Sequence, residues 1–93
     1  MRLYKSPQVR VDDERIKYTA AGDKLTVTIE GVSDTFDFTN VAGVLNMSGV
    51  RTTLPFNPLQ KVERKNGTVE VTAINYIGQN ATDEERFPHF QEV

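Results

Sequence analysis

The groups in this chain best suited to catalysis crowd into its closing stretch, ATDEERFPHFQEV, where Asp83, Glu84 and Glu85 run ahead of His89, the only histidine of the sequence. Carboxylates beside an imidazole are the parts of a general acid-base pair or of a weak divalent-cation site. Both chemistries need a fixed relation between the groups, and a proline interrupts it. Pro88 disfavours helical backbone at Phe87, so the acids and His89 do not share a helical face. No second imidazole or adjacent nucleophile is present to complete a site. The backbone gives the acids other work. Thr82 and Glu85 have the spacing of a capping box, and Asp83 and Glu84 fall in the first turn, where the helix dipole favours negative charge. The stretch reads as a short capped helix of one or two turns, with Phe87 and Phe90 anchoring the chain end to an apolar sheet face or edge. No catalytic residue and no metal ligand is assigned.

Other chemistries fall away by composition. Without cysteine there is no disulfide framework, thiolate zinc site or cysteine nucleophile. Ser48 lies in NMSGV, which lacks the strand-turn-helix setting and second glycine of a nucleophile elbow. Gly43 and Gly49 are not followed by a lysine-bearing helix start, so no phosphate loop is expected. Asp12, Asp13 and Glu14 precede a strand and read as a solvated lead-in rather than a paired-carboxylate site. No cofactor is implied. Ninety-three residues, 38% hydrophobic and 26% charged, make one domain spanning 1–93, which on folding should bury somewhat over 60% of its extended-chain surface. No apolar run approaches the roughly 18 residues of a membrane-spanning helix. The opening MRLYKSPQVRVDDER lacks the apolar core of a secretory signal, so the sequence predicts a cytoplasmic chain without a membrane partner.

The elements that would position any site are strands. In RIKYTAAGDKLTVTIE, Ile16, Tyr18 and Ala20 alternate with polar residues, as do Leu25, Val27 and Ile29. A type II′ turn at Gly22 and Asp23 sets Ala20 opposite Leu25, Tyr18 opposite Val27, Ile16 opposite Ile29 and Arg15 opposite Glu30. In TFDF a third strand is expected after a turn near 32–34, with Phe36 beside Ile29 and Phe38 beside Val27. A second hairpin is marked by Asn66-Gly67 in KVERKNGTVEVTAINY. It pairs Val62 with Val71, Arg64 with Val69, Leu59 with Ile74 and Glu63 with Glu70, the last a like-charge pair that Lys61 and Lys65 would relieve. The apolar phase shifts near Ala73, which predicts a bulge or a strand end there. Between the hairpins, Pro55 and Pro58 make LPFNPL a connection, and GVRTTL is expected as a short edge strand at most. The fold class is mainly β: an antiparallel sheet or small open barrel of about five strands with a short C-terminal helix.

Two surfaces emerge as candidates. LPFNPL is either a lid with Leu54, Phe56 and Leu59 buried, or a stiff docking segment in which Leu54, Pro55, Phe56 and Pro58 meet a partner. A meander also leaves edge strands that can pair with a protein partner or with a second copy. Formal net charge is −2 and the basic residues are scattered, which disfavours nucleic-acid binding. The alternative is nonetheless a small single-stranded nucleic-acid binder using Lys17, Tyr18, Lys61, Arg64 and Lys65.

The series formed by the GDK hairpin, TFDF, TLPFNP, ERKNG and the terminal ATDEERFPHFQEV resembles small uncharacterised proteins encoded by tailed phages and prophages of Gram-positive bacteria. The likeness runs from about Ile16 to Val93. It implies phage morphogenesis or lysogen maintenance, in the host cytoplasm or on the virion, and transfers no functional residue. The function expected is a non-enzymatic structural or assembly module acting through protein-protein contacts.

Overall fold

The computed structural model describes residues 1–9, 16–47, 49–77, 82–86 and 88–93. Its strands in chain order are β1 (Arg2–Val9), β2 (Ile16–Ala21), β3 (Lys24–Ile29), β4 (Val32–Asp37), β5 (Val44–Asn46), β6 (Leu59–Lys65), β7 (Thr68–Ile77) and β8 (Gln91–Glu92), with one helical turn, α1 (Asp83–Arg86), before β8. They form two open sheets, a β2-β3-β4 meander and a five-stranded sheet in the order β5-β6-β7-β1-β8.

Local turn chemistry accounts for the hairpins. Gly22 takes a positive φ of 62° while Asp23 does not, as a type II′ turn requires. The register that follows is the predicted one, with Ala20, Tyr18 and Ile16 opposite Leu25, Val27 and Ile29. Asn66 and Gly67 both have positive φ, 52° and 80°, the signature of a type I′ turn whose twist matches the strands. Val62, Glu63 and Arg64 accordingly face Val71, Glu70 and Val69.

These registers place the two sheets' apolar faces against each other. Leu25, Val27, Ile29, Phe36 and Phe38 from the meander join Leu3, Leu59, Val62, Val69, Val71 and Ala73 from the larger sheet in one buried cluster, with Met47 and Leu54 from the connection. Two packed sheets with a shared apolar interior satisfy both hydrophobic faces at once.

Several expectations need correction. Five strands in one sheet or barrel become, among the described residues, eight strands in two open sheets. The third strand turns earlier than expected. Glu30 and Gly31, at φ 52° and 77°, close a two-residue turn, so Phe36 lies opposite Leu25 and Val32 opposite Ile29. That shift by an even number of residues leaves Phe36 on the buried face. The bulge sits on β6 around Gln60 and moves Leu59 opposite Ala73 instead of Ile74. GVRTTL forms no strand among its described residues, and the short edge strand is β5 instead. The C-terminal helix is a single turn, with one Arg86 N–H to Thr82 C=O bond of 3.1 Å, and the chain closes as a strand.

The largest departure is β1, which runs parallel to β7 with Leu3 opposite Val71 and Lys5 opposite Ala73. Its other side pairs with β8 only at Arg2 and Leu3. Pro7 is tolerated because β1 has no described hydrogen-bonded neighbour on that side at this point. On the outer face Arg2 bonds Glu70 at 2.7 Å, and its guanidinium lies 5.2 Å from the centroid of Phe90, whose ring is 5.6 Å from Tyr4. Arg2 thus compensates Glu70, whereas neither Lys61 nor Lys65 forms a described ion pair with Glu63 or Glu70. Asp12, Asp13 and Glu14, the expected Arg15–Glu30 pair, Ser48 and Phe87 lie outside the described residues.

Candidate functional site

Side chains alternate across a strand, so the inward face of the β7-β1-β8 region is defined by Val71, Ala73 and Leu3, all buried. The same alternation brings Asn75 on β7, Lys5 on β1 and Gln91 on β8 to the inward side. There polar groups interrupt the apolar series, which resumes on β7 at the buried Ile77. Of the meander, Ile16 at the start of β2 is the described residue that lines this end. The result is a cleft of about 340 Å³ with Lys5, Asn75 and Gln91 on the sheet side, Ile16 opposite, and Thr82, Glu85, Pro88 and His89 contributed by the chain end. The volume lies at the lower end of the range of small-molecule sites.

The groups in the cleft differ in what they already bond. Thr82 and Glu85 hold each other as the capping box predicts: the Glu85 amide donates to Thr82 Oγ1 at 3.2 Å, and the Thr82 amide donates to Glu85 Oε1 at 3.3 Å. Asn75 is only 9% exposed, yet its side-chain amide bonds no described residue. Glu70, equally buried, has Arg2. Lys5, His89 and Gln91 also make no side-chain hydrogen bond to a described residue. Among the described residues no three His, Asp or Glu side chains are grouped to hold a metal ion. The arrangement is a set of donors, an ammonium, two amides and an imidazole, around a partly enclosed space.

The four residues expected at a docking segment are mostly inside. Leu54 and Pro58 are buried, Phe56 is half-buried with its ring 5.8 Å from that of Tyr76, and only Pro55 faces solvent. Asn57 fastens the loop, donating to the Met47 and Val50 carbonyls at 2.8 and 3.2 Å and accepting from the Leu59 amide at 3.0 Å. The segment closes the core as a lid.

The residues of the nucleic-acid alternative do not converge. Arg64 points inward and spends its guanidinium on the fold: Nε donates to Val41 O at 2.7 Å, Nη1 to Gly67 O at 3.1 Å, and Nη2 to Asp23 Oδ2, Phe38 O and Thr39 O at 3.1, 3.0 and 3.2 Å. Tyr18 donates its hydroxyl to the Ile74 carbonyl at 2.6 Å across the sheets. Burial, and secondarily the nearby Tyr76, pushes that phenol well above its ordinary range. Lys61 and Lys65 lie on the outer face of the larger sheet, whereas Lys17 lies on the outer face of the meander, on the opposite side of the molecule.

A third feature is the β5 margin. The Arg64 amide bonds Gly43 O and the Met47 amide bonds Gln60 O, so in this antiparallel register Gly43, Leu45 and Met47 point their backbone groups at β6. Val44 points its N–H and C=O outward instead. Its side chain is 62% exposed, with Leu45 at 41% and Val50 at 36%.

Sequence reasoning missed Lys5, Asn75 and Gln91. The phase shift after Ala73 was the available signal for Asn75. Lys5 and Gln91 gain meaning only from the pairing of β1 with β7 and β8, which nothing local announces. Compared with protein-family models, curated proteins and solved structures, the chain finds no match.

Proposed function

We propose that the protein is a non-enzymatic structural or assembly module that works by protein-protein contact at the β5 margin, with a second copy of the chain as its partner. The observation that carries this reading is Val44, an apolar side chain 62% exposed on a strand edge whose own backbone groups point to solvent. Such an edge is a template for a further strand.

The other sheet margins are less inviting. β8 is two residues long. Beside β4, Asp34 accepts the Thr52 hydroxyl at 2.7 Å and the Thr53 amide at 3.2 Å, which holds the connection along that edge. β2 carries the exposed Lys17, and edge lysines oppose strand addition. A net charge of only −2 leaves little repulsion between copies. The resemblance to phage-encoded proteins gives this contact a setting in morphogenesis or lysogen maintenance, in the host cytoplasm or on the virion.

Sedimentation equilibrium over a wide loading range tests the reading. Self-association is expected for the native chain and its loss for Val44→Lys, with the thermal transition of dilute protein unchanged. A strict monomer at millimolar loading, or an oligomer indifferent to Val44→Lys, overturns it.

A further inference from the structure

The five-stranded sheet has the β5 margin at one edge and the polar cleft at the other, so the cleft is independent of the contact proposed above. We propose that the cleft is a binding site for a small monocarboxylate, held by Lys5 and Asn75 with Gln91 and His89 at the mouth, its carbon body lying against Ile16 and Pro88.

The argument begins with Asn75. A buried amide that bonds nothing is costly, and native structures pair such groups with few exceptions. Here the residue is nine-tenths buried and lines the cleft, and its amide has no partner among the described residues. A ligand or ordered water in the cleft would supply the missing bond. The neighbours indicate which. Lys5 offers only donors, and the amides of Asn75 and Gln91 and the imidazole of His89 each add a donor. The one cation in the described lining matches one negative charge. Glu85, on the wall formed by α1, disfavours any anion by like-charge repulsion, and a dianion such as phosphate about twice as strongly as a monocarboxylate. Ile16 and Pro88 supply the apolar contact that a short hydrocarbon body needs. A cleft of 340 Å³ admits such a molecule.

Titrating the full chain with butyrate, followed by amide chemical shifts, tests the proposal. Butyramide serves as the neutral isostere and inorganic phosphate as the competing anion. Saturable shifts around Lys5, Asn75 and Gln91 are expected with butyrate and not with butyramide, with affinity falling about tenfold or more in Lys5→Met. Three results overturn the proposal: no saturable shift up to about 10 mM butyrate, equal binding of butyrate and butyramide, or tighter binding of phosphate than of butyrate. Val44→Lys should bind butyrate as the native chain does, so failure at one edge is distinguishable from failure at the other.

Discussion

Replacing Asn75 with leucine should make the protein more stable while removing its proposed ligand site. Asn75 sits on the inward face of β7, in the series Val69, Val71 and Ala73, and is 9% exposed. Its amide has no described partner, and a buried polar group in that condition costs about 1–3 kcal/mol. Leucine keeps asparagine's branched shape but is bulkier, carries no polar atom and suits the adjoining apolar series. The cleft beside it takes up the added volume, so the overpacking strain of about 1–3 kcal/mol typical of a closed core is largely avoided. The net expectation is a gain of about 1–2 kcal/mol. For a domain of this size, each kcal/mol moves the midpoint by about 4–8 °C, so Tm should rise by roughly 5–15 °C. Urea unfolding by circular dichroism should show a higher midpoint at unchanged slope, since the area exposed on unfolding barely changes. Butyrate should no longer shift the spectrum. A loss of about 1 kcal/mol or more on substitution would refute the reasoning, because it would mean that the amide is satisfied in the folded protein and has no need of a ligand.

The other expectations concern the frame. Arg64→Met removes five contacts, four that tie β6 to Asp23 and to Phe38, Thr39 and Val41 beyond β4 and one to Gly67 of its own hairpin; a loss on the order of 3 kcal/mol in urea unfolding is expected, and a loss below about 1 kcal/mol would remove Arg64 from its organising role. Glu30 holds a positive φ of 52° in a turn that favours Asn-Gly, so Glu30→Asn should stabilise by about 0.5–1 kcal/mol, read as a rise in the thermal midpoint. Acidification should weaken the fold through two carboxylates: half-buried Asp34, whose pKa is lowered chiefly by the Thr52 hydroxyl and then the Thr53 amide, and exposed Asp37, lowered by the Thr39 hydroxyl and amide. Their contribution is fully present above the unfolded value near 3.9 and is lost as pH falls through the lower folded values. Stability measured between pH 5 and strong acid should therefore lose part of its slope in the Asp34→Asn/Asp37→Asn double variant.

The parts of the fold legible in the sequence are those decided within a few residues. Gly22-Asp23 and Asn66-Gly67 each specify a backbone geometry, and a two-residue loop leaves one register once the apolar faces must match. The third strand shows where this fails. Glu30-Gly31 makes the same kind of turn, but glutamate at positive φ is an unusual choice, so the residues do not advertise it. The parity of Phe36 and Phe38 still identified the buried face. The place of β1 was harder for a different reason. A parallel partner 68 residues away, as Arg2 is from Glu70, leaves no turn signature, and RLYKSPQV carries a proline and an inward lysine that argue against a central strand.

That inward lysine connects the hidden part of the fold to the hidden part of the site. Lys5, Asn75 and Gln91 each look like an error in a strand's apolar pattern when read alone, and errors of pattern are ordinarily assigned to the solvent face. Parallel pairing of β1 with β7 and antiparallel pairing with β8 put all three on the inward side of one sheet end. The cost of so many polar groups there is highest if the space between them is empty and falls if an acceptor sits among them. Sequence evolution toward stability alone would replace them with aliphatic residues, as Asn75→Leu would do in one step. The acidic stretch has a narrower part: Thr82 and Glu85 cap a single turn, and Pro88 and His89 after it reach the rim of a cleft whose proposed binding groups lie mainly on the strands beneath.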